Sequence, residues 1–159
     1  MAERMVAKHP ENPAPVAVRA FALAAVGRHE DAVRDFARTA PMLATMSEPS
    51  LRWGYSLLAL GRPDDALVHM RDAVRRDPWW GQAHAGVGRV LVAQGKADEA
   101  LAHFEKARAL DAHDPEALRD GAQALDALGR GKEAAEKRAL ADAVARENRA
   151  GTPAILALR

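Results

Sequence analysis

Apolar residues recur along this chain at helical spacing, in blocks that stop and restart at a fixed distance. Across residues 97–110, Leu101, Phe104, Ala107 and Leu110 return every third or fourth position and line one helical face. The block before it, about residues 80–94, presents a second such face through Val87 and Leu91. Gly95 separates the two, where a helix C-terminus needs a residue that accepts positive φ. Asp98 and Glu99 open the second block, where acid complements the dipole of a helix N-terminus. Residues 81–114 therefore form a helix–turn–helix unit.

The unit recurs. Gly27, Gly61, Gly95 and Gly129 keep a constant step of 34 residues. Ala32, Ala66, Ala100 and Ala134 keep the same step, as do Leu23, Leu57, Leu91 and Leu125. A period of 34 with two helices per unit resembles the tetratricopeptide repeat (TPR) family. Its W-x2-L-G-x2-Y opening falls on His84, Val87, Gly88 and Leu91 in the third copy, and on Ser50, Trp53, Gly54 and Leu57 in the second. The first copy has Val16, Arg19, Ala20 and Leu23, and the fourth Leu118, Gly121, Ala122 and Leu125. The A-x3-F element falls on Ala32 and Phe36, Ala66 and Met70, and Ala100 and Phe104. In the fourth copy Ala134 is followed by Arg138 in the aromatic place. Within the copies only Pro78 matches the closing proline.

The resemblance implies an all-α fold, a right-handed α-α superhelical solenoid of helix–turn–helix repeats. Four repeats are expected at about residues 13–46, 47–80, 81–114 and 115–148. Residues 1–12 read as part of a preceding repeat or an N-terminal extension, because Pro10 stands two periods before Pro78. Residues 149–159 form a tail in which Thr152 and Pro153 can start a short capping helix, carrying Ile155, Leu156 and Leu158. Pro41 falls inside the second helix of the first copy and is expected to end or kink it. Met42 and Met46 are expected to fill the packing gap that results. Gly54, Gly88 and the alanine ladder leave room for close helix approach, so enlarging Ala100 should cost roughly 1–3 kcal/mol.

Composition narrows the function classes. Net charge is +1, with basic and acidic residues interleaved, so there is no electrostatic case for nucleic acid. There is no cysteine, which removes disulfides, thiol catalysis and cysteine zinc sites. No apolar run reaches the length of a membrane span, and no signal-peptide pattern opens the chain, so a cytoplasmic location without membrane insertion is expected.

Candidate chemistry is sparse. His69 and His103 occupy the same place in successive copies, but two ligands rarely hold a metal. Aromatic packing explains them better. The acid pairs Asp64–Asp65 and Asp98–Glu99 sit in first helical turns, where they stabilise helices without catalysing anything. No phosphate loop and no nucleophile–base motif is present. The chain is expected to be no enzyme, with no catalytic residue, no cofactor and no metal.

What remains is binding. In TPR proteins the first helix of each repeat lines a concave groove. Phe21, Tyr55, Arg89 and Gln123 stand in phase on that face, with Leu51 and Arg119 one turn earlier and Arg52 adjacent. These seven are the expected contacts for a protein or peptide, an amphipathic or acidic segment suiting the aromatics and arginines. After Pro78, Trp80 is expected to pack into an inter-repeat seam, whereas Trp79 has no packing duty and is a candidate anchor for a partner. The clamp that grips the carboxylate tail of heat-shock chaperones is not matched: its places hold Ala17, Phe21, Arg52, Gln82 and Gly86. The reading is a scaffold or adaptor. Alternatives are a regulatory or substrate-presenting arm of a larger transferase or hydroxylase, and self-association through terminal repeats or the tail.

Overall fold

The computed structural model describes residues 13–150, so the expectations for residues 1–12 and 151–159 fall outside the described part. The described residues are all-α, and form α1 (Pro13–Ala25), α2 (His29–Thr39), α3 (Ser47–Ala59), α4 (Pro63–Arg76), α5 (Gly81–Ala93), α6 (Ala97–Leu110), α7 (Pro115–Ala127) and α8 (Gly131–Ala150). By contact the chain divides into two compact units, Met1–Pro78 and Trp79–Arg159. The first holds α1–α4 and the second α5–α8. Within each, consecutive helices pack together and the two first helices of its repeats also touch, α1 with α3 and α5 with α7.

The turn-arounds follow from the glycine and leucine ladders together. Gly27, Gly61, Gly95 and Gly129 adopt φ of 78°, 69°, 75° and 73°, the left-handed region that side chains resist. In every case the next residue donates its backbone N–H to the ladder leucine: Arg28 to Leu23 at 2.9 Å, Arg62 to Leu57 at 3.0 Å, Lys96 to Leu91 at 2.8 Å and Arg130 to Leu125 at 2.9 Å. This is the Schellman closure, which satisfies carbonyls that a helix end would otherwise leave open. The leucines thus do two jobs, since their side chains are also core.

In the first unit, Ala20, Leu23, Ala32 and Phe36 form a buried cluster, with Phe21, Ala24 and Trp53 packed against it. The second unit buries Leu118, Ala141 and Val144 in one cluster and Ala122, Leu125 and Ala134 in another. The ladder alanines Ala32, Ala66, Ala100 and Ala134 are fully buried, as the close approach of paired helices requires.

Pro41 ends α2 at Thr39, leaving it 11 residues long against 14 in α4 and α6. The Thr39 hydroxyl, inside the last turn, donates to the Asp35 carbonyl at 2.9 Å. The chain then crosses to α3 in turns held by the N–H of Met42 on Thr39 O and of Met46 on Leu43 O, both at 3.0 Å. Met42 and Met46 do not fill a packing gap; both are exposed. With α2 cut short, no helical turn lies opposite them to pack on.

Candidate functional site

The seven groove residues divide between the two units. In the first, Phe21 is half-buried and meets Phe36 edge-on, with centroids 5.5 Å apart and planes at 85°. Tyr55 is half-buried on α3. Arg52 is exposed and pairs with Glu48 one turn earlier at 3.5 Å. Leu51 is not a surface residue: it is 2% exposed and belongs to the core. The reason is visible in its counterparts. The same place in the first and third copies holds Ala17 and Ala85, both buried, so the position faces inward. Only in the fourth copy, with Arg119, does it open to solvent.

In the second unit, Arg89 on α5 donates from Nε to Asp120 Oδ2 on α7 at 2.6 Å. Asp120 is mostly buried; that burial raises its pKa, with the Arg89 charge pulling the other way. Arg119 is exposed, donates to Glu116 at 2.5 Å and reaches Asp142 of α8 at 3.5 Å. Gln123 is exposed one turn beyond Arg119. The face on α5 and α7 therefore carries ordered guanidinium groups, each already matched to a carboxylate. Trp79 is 76% exposed, with the Lys106 Nζ 5.5 Å from its ring centroid, a cation–π arrangement. Trp80 is half-buried at the start of α5.

The two in-phase histidines serve their own units. His69 stacks on Trp53 with centroids 3.9 Å apart and planes at 23°. His103 lies against His84 at 5.7 Å. Among the described residues no group of three or more metal-ligating side chains comes together. No described helix is long and apolar enough to cross a membrane.

One feature escaped the sequence pattern. Phe36, Trp53 and His69 form a stacked row, Phe36 and Trp53 lying 6.3 Å apart at 17°. Beside it opens a cleft of about 280 Å³ walled by the 40–44 turn, α3 and α4. Its polar wall is Ser50, Asp72 and Arg76. The Ser50 hydroxyl donates to Asp72 Oδ2 at 2.8 Å, and Arg76 Nε donates to the same oxygen at 2.6 Å. Arg75 pairs with the other oxygen. Burial acts to raise the Asp72 pKa, but the hydrogen bonds from Arg76, Ser50 and Arg75 together hold it below the ordinary carboxylate value. The available signals were Pro41 and the placing of a tryptophan, Trp53, where the repeat motif has leucine.

Three profiles described as tetratricopeptide repeat match the sequence, at residues 13–34, 51–107 and 91–159. The chain belongs to the tetratricopeptide repeat family. Solved structures agree on the fold, an all-α TPR solenoid. MamA superposes with a TM-score of 0.80 at 16% identity, covering 92% of this chain and 86% of that one. The 41-end form of MamA from Desulfovibrio magneticus RS-1 gives 0.79 at 22% identity, covering 89% and 80%. A thermophilic TPR protein of Thermus thermophilus gives 0.75 at 23% identity, covering 88% and 77%. At these identities the likeness is one of fold. No curated protein matches the sequence. TPR repeats support protein interaction in general, and the scaffold is generally non-catalytic.

Proposed function

We propose that this chain is a non-catalytic scaffold whose two units each hold partner-protein segments against the outward faces of their repeats' first helices. The observation that carries this reading is the split character of α3, α5 and α7. One side of each is core, through Leu57, Leu91 and Leu125. The other keeps Arg52, Tyr55, Arg89, Arg119 and Gln123 at or near the surface, where the repeat gives them no packing role. The charged groups on α5 and α7 are already held in fixed pairs, so a partner meets preorganised donors at a low ordering cost. Trp79 adds a large exposed aromatic of the kind that anchors interfaces. The fitting occupant has mixed charge and at least one apolar side chain.

The test is capture from the source cell on wild-type protein and on the triple variant Arg52→Ala, Arg119→Ala, Gln123→Ala, side by side. Arg89 is left intact, because its removal would strand the mostly buried Asp120. Each of the three altered residues is exposed, so each change should move stability by no more than about 0.5 kcal/mol. A partner held by wild type and depleted on the variant, with unchanged melting, supports the reading. Equal retention on both removes these faces as the binding surface.

A further inference from the structure

A second pocket, of about 230 Å³, is walled by α1, α2 and the turn between them, on none of the seven groove residues. Among the described residues Leu23 is its one apolar wall. The rest of the lining is Arg19, Arg28, Arg34, Arg38, Asp31 and Asp35, so four guanidinium groups face two carboxylates. Helix α1 has no acid, and Glu30, the remaining acid of α2, does not line the pocket. The whole chain carries a net charge of only +1, so positive charge is concentrated at this place.

Two of the arginines use up the two carboxylates. Arg19 holds the buried Asp35 through paired hydrogen bonds, Nε to Oδ2 at 2.6 Å and Nη2 to Oδ1 at 2.8 Å. Arg28 Nε donates to Asp31 Oδ2 at 2.9 Å. The latter pair belongs to the turn-around of the repeat, because Arg62 with Asp65 and Arg130 with Glu133 repeat it. Arg34 and Arg38 come in addition. Arg34 shares Asp31 with Arg28, and Arg38 stands 4.0 Å from Asp35. The repeat does not ask for either of them. The place of Arg34 holds Val68, Ala102 and Glu136 in the next three copies, and that of Arg38 holds Asp72, Lys106 and Leu140. Their side chains are 74% and 55% exposed, and they stand one helical turn apart on the same face, open to a ligand from solvent.

We infer that this pocket binds a phosphate monoester, carried by a side chain of a partner protein or by a small molecule. Such a group carries about −1.5 to −2 charges near pH 7, so one head group matches both surplus guanidiniums. Arginine presents paired N–H donors in the geometry that phosphate oxygens accept. A carboxylate brings a single charge and would leave one guanidinium in surplus. With Leu23 as the one apolar wall, the lining offers little to a ligand without charge. The volume lies below the ~300–1,000 Å³ of sites for larger small molecules and suits one such head group.

The test titrates the 15N-labelled full chain, at one ionic strength, with acetyl-Gly-phosphoserine-Gly-amide, its Asp counterpart and glycerol phosphate. The Nε–H resonances of Arg34 and Arg38 are assigned by their loss in Arg34→Gln and Arg38→Gln. Both should shift saturably with a phosphate ligand at millimolar concentration or below, and the tighter of the two phosphate ligands tells a protein carrier from a small one. The Asp peptide should bind several-fold more weakly than the phosphoserine peptide. The double variant Arg34→Gln, Arg38→Gln changes two exposed side chains, so it should melt close to wild type and bind at least several-fold more weakly. The control Arg108→Gln, Arg146→Gln removes the same charge from exposed places on α6 and α8 and should bind as wild type does. No saturable shift with either phosphate ligand overturns the inference. So does equal binding of the Asp and phosphoserine peptides, or equal affinity in the two double variants, which would reduce the effect to diffuse attraction.

Discussion

Two glycines in equivalent places show how single residues set the helix spacing. A Cβ on Gly88 would lie 2.5 Å from Cε1 of Phe104, whose ring is buried and cannot swing away. A Cβ on Gly54 would lie 2.9 Å from the sulfur of Met70, near the end of a flexible side chain. Overpacking costs roughly 1–3 kcal/mol, while exchanging glycine for alanine in a helix regains about 1 kcal/mol. Gly88→Ala should therefore lower stability, by up to about 2 kcal/mol, and by more than Gly54→Ala, which should stay within about 1 kcal/mol of wild type. Urea unfolding of the two variants checks this, and equal losses would show that the Phe104 contact is not the limiting one. The same scale explains why pattern alone puts Leu51 on the groove face, whereas the fold buries it. Motif spacing says which residues the repeat requires, but a residue without a required role can still face inward, as Ala17 and Ala85 do in neighbouring copies.

At the scale of elements, the ladders made most of the fold legible. Helix α6 falls on residues 97–110, as its apolar period indicates, and α4 on residues 63–76. Helix α5 spans residues 81–93, one residue inside each end of the block at about 80–94. The cleft was not legible, because it depends on what the shortened α2 fails to cover, a three-dimensional consequence of Pro41. The stacking that joins α3 to α4 beside that cleft has a pH signature. Burial on Trp53 lowers the His69 pKa, against the opposing pull of Asp72 and Asp65. The folded state therefore favours the neutral ring, and the unfolded chain binds the extra proton first. Its contribution is intact above the ordinary histidine value of 6.5 and is lost as pH falls from there through the lowered folded value. Asp72 acts in the same direction but only below about 3.8, so the two windows separate. The melting temperature should fall between about pH 7.5 and pH 5, and the fall should shrink in His69→Phe, which keeps a stacking ring. An identical fall in the variant would assign the loss to other groups.

For the whole molecule, the distribution of chemistry favours holding over transforming. The charged residues are matched in short pairs along exposed helix faces, as between Arg62 and Asp65 and between Arg130 and Glu133. Such pairs contribute little to stability, about 0–1 kcal/mol each, and leave a surface of fixed charge pattern for a partner to read. The stability resides instead in the repeated burial of alanine, leucine and aromatic side chains, so outward residues are free to vary with the partner. The most direct test is hydrogen–deuterium exchange of the full chain with and without its captured partner. If the first helices hold the partner, exchange should slow in α1, α3, α5 or α7, with protection reaching Arg52, Arg89, Arg119 or Gln123. A saturated complex that leaves all four of those helices unchanged, with protection confined to α6 and α8, would contradict the account.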